Sequence, residues 1–285
     1  MNLSTSFRAI FFCGLAYLVS ACNDALAKAL GLGLHPFQIT FLRFLLSALV
    51  LLPFGFWKGF SIFKTERPWL HLCRGGLLFG GIALWCYGLQ SVPLAMATTL
   101  NFTIPIFTLI LAKVILKESV GLRRWLVTMA GFAGIAVILH PHGLLNQASL
   151  GLVLASVLFA VLDVLNKKFV IRESIWAMLL WGSLATVLVG AGTVPSVWQM
   201  PMGNEWLCLL GLGIGANLLL LFLLKGLALA EASFLAPVRY MELLFALLLG
   251  WIFFHEPIAI ETLLGAALII PCSLYLLCYK ETPAV

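Results

Sequence analysis

Apolar runs of about twenty residues, each long enough as a helix to cross the hydrocarbon core of a bilayer, fill most of this chain. They fall at roughly 9–30, 36–56, 69–90, 93–113, 124–140, 149–168, 174–194, 205–226, 230–254 and 258–279, and they predict ten spans. Lipid offers no partner to an unpaired backbone amide or carbonyl, so each run is expected to be helical. Composition agrees: 62% of the residues are hydrophobic and 10% charged, against about 45–50% and about 25% in a soluble domain. The expected fold class is an all-α membrane protein, and 285 residues leave no room for a soluble domain beside ten spans.

The net charge of +6 raises nucleic acid as a partner, but the positions of the charges argue against it. With a cytoplasmic amino terminus, all but three of the seventeen Lys and Arg residues fall in or beside inner loops and termini. The exceptions are Lys28, near an outer end, and Arg43 and Arg239, inside spans. That asymmetry predicts that both termini are cytoplasmic. The seven cysteines all sit in apolar segments without a CxxC pair, as expected of reduced, small apolar side chains. The HPH at 140–142 reads as a turn rather than a metal site, so neither metal nor cofactor is expected. The VSAC that ends at Cys22 also fits a lipoprotein signal, but the apolar run continues past it.

The chain repeats itself. A shift of 139 residues lays Asp24 on Asp163 and Lys28 on Lys167, with Ala16, Ala21 and Leu26 on Ala155, Ala160 and Leu165. A shift of 138 lays Gly88, Phe107 and Glu118 on Gly226, Phe245 and Glu256. The expected organisation is two homologous halves, 1–142 and 143–285, of five helices each. Five is odd, so the halves are expected to lie in opposite senses across the membrane. Such inverted repeats belong to alternating-access carriers.

Charges inside the spans each need a reason, because an unpaired one costs about 2.5–3.5 kcal/mol on insertion scales. Asp24 and Lys28 are four residues apart, as are Asp163 and Lys167, with the acid first as helical pairing favours. They read either as self-neutralised structural pairs or as an outer and an inner gate. Arg239 and Glu242, three apart, follow Pro237, which removes a backbone donor and lets nearby carbonyls face a cavity. Their repeat partners are Asn101 and Ile104, so the halves differ in chemistry at the depth where an asymmetric ligand would bind. Arg43 is placed to pair with Asp24 or Glu242, or to meet an anionic substrate group. Asn101 and Asn217 read as helix links or ligand contacts, and Trp85, Tyr87 and Tyr240 as core rings or stacking surfaces.

The segments SACNDALAKALGLGLHPFQITFLRF, LHLCRGGLLFGGIALWCYGL, DVLNKKFVIRES and APVRYMELL, with a Glu after the fourth helix of each half (LKES at 116–119, FHEP at 254–257), carry a resemblance. The chain resembles the drug/metabolite transporter superfamily, EamA type, over nearly its whole length. Within it, the segments look like the S-adenosylmethionine uptake transporters of intracellular bacteria. The resemblance implies a carrier of the bacterial cytoplasmic membrane with a central cavity lined chiefly by the third, fourth, eighth and ninth helices. For such a substrate, chemistry suggests Arg239 for the carboxylate and Glu242 for the ammonium or sulfonium. Trp85 or Tyr240 would then stack on the adenine. Export of amino acids or related metabolites is the alternative, since those substrates carry the same carboxylate and ammonium.

Overall fold

Each described α-helix falls on one of the expected apolar runs. The computed structural model describes residues 3–30, 33–91, 97, 100–101, 103–139 and 147–254, and all regular structure among them is helical. The helices are α1 (Leu3–Ala29), α2 (Pro36–Lys58), α3 (Pro68–Ser91) and α4 (Ile104–Leu111), which runs on as a π-helical turn at Ala112–Leu116. They continue with α5 (Leu122–Leu139), α6 (Gln147–Phe169), α7 (Ile175–Gly190), α8 (Asn204–Leu229), α9 (Ala232–Leu235) and α10 (Met241–Phe254). The expected span at 258–279, the first part of the span at 93–113, the HPH at 140–142 and the end of FHEP lie outside the described residues.

Six stretches among the described residues are long and apolar enough to cross a membrane: Thr5–Ala29, Pro36–Lys58, Pro68–Gln90, Gln147–Phe169, Asn204–Leu229 and Ala232–Phe253. Shorter apolar helices occupy Ile104–Leu116 and Ile175–Gly190. The chain is therefore a multi-pass membrane protein. The stretch Ala232–Phe253 is one apolar span in three pieces, α9, a 3-10 segment at Ala236–Tyr240 and α10. The 3-10 segment starts where Pro237 removes an amide donor from the helical ladder. Among the described cysteines none is in a disulfide. Cys13 and Cys86 are buried as expected, while Cys22 and Cys73 lie on the outer surface of the bundle, where lipid accepts an apolar thiol equally well.

Helices of the first half pack chiefly on helices of the second. The broadest contacts are α1 on α8, α3 on α6 and α7, and α2 on α8 and α7. Exchange α1 with α6, α2 with α7 and α3 with α8, and this set maps onto itself. The contact of α4 with α6 likewise matches that of α10 with α1. Two crossings share one device. A Cβ on Gly88 of α3 would collide with Leu152 of α6, and a Cβ on Gly226 of α8 would collide with Cys13 of α1. Gly88 and Gly226 are repeat partners, as are Cys13 and Leu152. The matched alanines are sealed as well, Ala16, Ala155 and Ala160 being 0% exposed and Ala21 2%. Small residues let helix backbones approach closely in lipid, where packing has to supply the attraction between helices.

Gly88→Val and Gly226→Val are each expected to destabilise the purified protein by ~1–3 kcal/mol through overpacking. Gly76→Val, in the same helix as Gly88 but with nothing within 4 Å of its added Cβ, serves as the control. Melting temperatures in detergent check this; equal losses in all three variants would remove the two crossings as special contacts.

Candidate functional site

A cavity of about 110 Å³ lies where α1, α2, α3, α6, α8 and the interrupted span meet. Its wall is made of helical stripes at one-turn spacing. Tyr17, Ser20 and Asp24 line it from α1, with Asn23 beside them, and Leu78, Ile82 and Trp85 from α3. Phe159, Asp163 and Asn166 line it from α6, and Ala216, Leu220 and Leu223 from α8. Residues three, four and seven apart share a helix face, so each stripe presents one edge of its helix to the same space. Arg43 and Phe44 of α2, with Asn101, Leu162, Leu219 and Arg239, complete the wall.

Two acids in the wall have partners from other helices. Asp24 accepts a hydrogen bond from the indole N–H of Trp85 at 2.9 Å. Asp163 accepts from Arg239 at 2.7 Å, in an ion pair whose side chains are 12% and 11% exposed. The Tyr17 ring lies 5.2 Å from the Arg239 guanidinium carbon, adding a cation–π contact. These partners correct the pairing expected from spacing. Arg239 reaches across to α6 instead of down its own span to Glu242, and Asp163 pairs with Arg239 instead of Lys167. Arg239 stands in the 3-10 segment Ala236–Tyr240 and Glu242 in α10, so the two do not share one regular helix as the spacing assumed.

Lys167 is used elsewhere. Its ammonium donates to the carbonyls of Leu227 and Ala230, both at 2.7 Å, at the end of α8. The following turn is also held from the first half. Glu118 accepts from the amides of Ala232 and Ser233 at 3.0 Å each and from the Ser233 hydroxyl at 2.5 Å. Arg124 pairs with Glu231 at 2.6 Å and donates to the Ser233 hydroxyl. The Leu227–Ser233 corner is thus tied to α6, to the segment after α4 and to α5. Lys28 does not line the cavity.

Of the other expected ligand contacts, Trp85 and Asn101 line the cavity and four residues do not. Tyr240 is 0% exposed and donates its hydroxyl to the Thr128 carbonyl at 2.7 Å. Tyr87 is 44% exposed and so faces out of the bundle, in contrast to Trp85 two residues earlier. Asn217 joins α8 to α2, accepting from the Ser47 hydroxyl and donating to the Ser47 carbonyl. Glu242 is 2% exposed, does not line the cavity, and has Arg239, Ser20 and Asp163 as its polar neighbours. Among the described residues, the third, fourth, eighth and ninth spans, expected as the chief walls, all contribute to the lining, and α1 and α6, not named in that expectation, supply much of it. Tyr17, Ser20 and Phe159 were not anticipated, although each lies four or seven residues before an intramembrane Asp.

Four atoms in the cavity-lining residues stand out. Asn23 Nδ2, Arg43 Nε, Asn101 Oδ1 and Asn166 Nδ2 are buried without a hydrogen-bond partner in the protein. Buried polar groups are nearly always paired, so this wall has the chemistry of a site that a polar ligand completes. Among the described residues no group of His, Cys, Asp and Glu is arranged to hold a metal.

Asp163→Asn is expected to strand the Arg239 guanidinium, and breaking one partner of a buried pair costs about 3–5 kcal/mol. The exchange Asp163→Arg with Arg239→Asp should melt at a higher temperature than either single variant. Asp163→Lys with Lys167→Asp should bring no such recovery. Recovery by the second exchange alone would put the pair back within α6.

Comparison with known proteins agrees with this architecture. The EamA-like transporter family matches residues 7–140 and again residues 146–278. A protein of Rickettsia felis named S-adenosylmethionine uptake transporter is 42% identical over 272 residues, covering 95% of this chain and 92% of its own. One of the same name from Rickettsia prowazekii is 40% identical and covers 98% and 95%. A riboflavin transporter of Vibrio cholerae is 31% identical and covers 90% and 87%. A solved crystal structure superposes with a TM-score of 0.73 at 23% identity, covering 96% of both chains, which shows a shared fold. With both halves of its sequence matched and relatives of 40–42% identity along nearly its full length, this chain belongs to the EamA-like transporter family.

Proposed function

We propose that the chain is a secondary carrier that takes up S-adenosylmethionine across the bacterial cytoplasmic membrane by alternating access. The cavity carries the reading: it lies between helices of both halves, and its wall holds charges of both signs and unpaired polar atoms. The substrate comes from the Rickettsia relatives. Its adenine needs ring faces, which Trp85, Phe44 and Phe159 supply, and its ammonium and sulfonium need acids, of which Asp24 is nearest the rings. Asn101 adds an acceptor with no protein partner.

The ten-span arrangement, with halves 1–142 and 143–285 inverted about an axis in the membrane plane, belongs to the same proposal. It is supported by the exchange symmetry of the helix contacts and by the two matched glycine crossings. The Leu227–Ser233 corner then closes the cytoplasmic end of the pathway. Asp24 and Lys28 lie toward the outer end. Glu242 lies beside the Arg239–Asp163 pair and adds a second buried acid to its surroundings. Exchange against a demethylated product is compatible with this scheme, because that product keeps the adenine, the carboxylate and the ammonium.

Cells expressing the protein are expected to accumulate labelled S-adenosylmethionine, with excess unlabelled substrate blocking uptake and riboflavin, nucleosides and amino acids leaving it largely intact. Suppression by amino acids alone would favour an amino-acid carrier. In the same assay Glu242→Gln should slow uptake without changing the half-saturating substrate concentration.

Topology has its own test. In a background without native cysteines, Gln147→Cys should react with an impermeant maleimide on intact cells and Lys64→Cys should not. The reverse pattern would overturn the cytoplasmic placement of the termini.

A further inference from the structure

The cavity wall contains two guanidinium groups, and they are not equivalent. Arg239 is committed to Asp163 at 2.7 Å. Arg43 lines the same space and is 6% exposed, but no carboxylate among the described residues lies at ion-pair distance from it. Its Nε has no acceptor, and its one close ring neighbour is Phe44, 5.7 Å from the guanidinium carbon. Asp24, the acid that bears on it electrostatically, is already bonded to the Trp85 indole. A cation at this depth without an anion is expensive, and burial in a wall that also faces a cavity makes it a receptor for one.

A third buried guanidinium, Arg74, does not compete for this role. Its Nε donates to Asn166 at 2.9 Å, its Nη1 contacts His71 at 3.1 Å, and it is absent from the cavity wall. Arg239 is excluded on different grounds. Taking a substrate carboxylate would require it to share or abandon Asp163, leaving a buried acid uncompensated.

We infer that Arg43 receives the carboxylate of the substrate, with Asp24 one helix away receiving the α-ammonium. This inference rests on the proposed S-adenosylmethionine reading and adds which end of the molecule is read, and by which helices. The amino-acid end is held between α1 and α2, and the planar fork of Arg43 supplies two parallel hydrogen bonds to one carboxylate.

The test compares two ligands on the same purified, full-length variants: S-adenosylmethionine and its decarboxylated analogue, which keeps the adenine, sulfonium and ammonium. Wild-type protein should bind the parent more tightly. Arg43→Gln should weaken binding of the parent by about ten- to a hundred-fold. The same variant should leave the analogue's affinity within about threefold, well under one lost charge-assisted contact. Arg43→Lys, which keeps the charge needed for folding, should show the same selectivity with a smaller loss. Equal losses for both ligands, or none for either, would overturn the inference while leaving the transport reading intact. A carboxylate-selective loss in Arg239→Gln and not in Arg43→Gln would also overturn it, moving the contact to the interrupted span. Wild-type protein that binds neither ligand would sink the substrate reading, and this inference with it.

Discussion

A guanidinium and a carboxylate 2.7 Å apart, both almost sealed from solvent, organise the middle of this protein. In water such a pair would contribute little. In the interior of a membrane protein neither charge can be left alone, so Arg239 and Asp163 fix the interrupted span against α6. The cavity wall follows from that fixation. With Asp163 held by Arg239, the stripe of Phe159, Asp163 and Asn166 faces the same space as Tyr17, Ser20 and Asp24 of α1. The two intramembrane Asp residues that the repeat relates therefore look into one cavity, with different partners. Asp24 has a neutral indole donor and Asp163 a cation.

Much of the architecture was legible because lipid simplifies the problem. Backbone groups that find no partner in hydrocarbon leave helix as the answer for every apolar run, and the runs at 36–56 and 205–226 predicted α2 (Pro36–Lys58) and α8 (Asn204–Leu229) closely. The repeat was legible from Asp24 and Asp163, since charged residues at matched positions in apolar sequence are rarely accidental. The crossings at Gly88 and Gly226 were only half legible. The match of the glycines was visible, but what each glycine admits depends on which helix lies across it, and spacing along one chain does not say that.

The site was less legible for the same reason. Spacing identified which intramembrane residues needed partners and then assigned them the wrong ones, because i to i+3 and i to i+4 neighbours are all that a single helix offers. Arg239 and Lys167 both found partners on other elements, Asp163 and the carbonyls of Leu227 and Ala230. Tyr87 and Tyr240 failed as ring surfaces for a related reason: the side of a helix that faces the cavity is set by packing. The signal that went unused was the stripe itself. Counting back one and two turns from Asp24 leads to Ser20 and Tyr17, and one turn back from Asp163 leads to Phe159.

In the proposed carrier, the attachment of Lys167 bears on how the cytoplasmic end of the pathway yields. Its ammonium is satisfied by carbonyl oxygens at the end of α8, with Glu118 and Glu231 near enough to act on its charge. Water solvates an ammonium and exposed carbonyls about as well as they satisfy each other, since folding exchanges such bonds for those with solvent at small net gain. Separating them is costly while that end is dry and cheap once it is wet. In the proposed carrier the Lys167 attachment then acts as a hydration-controlled latch, set beside the Arg124–Glu231 ion pair that holds the same corner by charge.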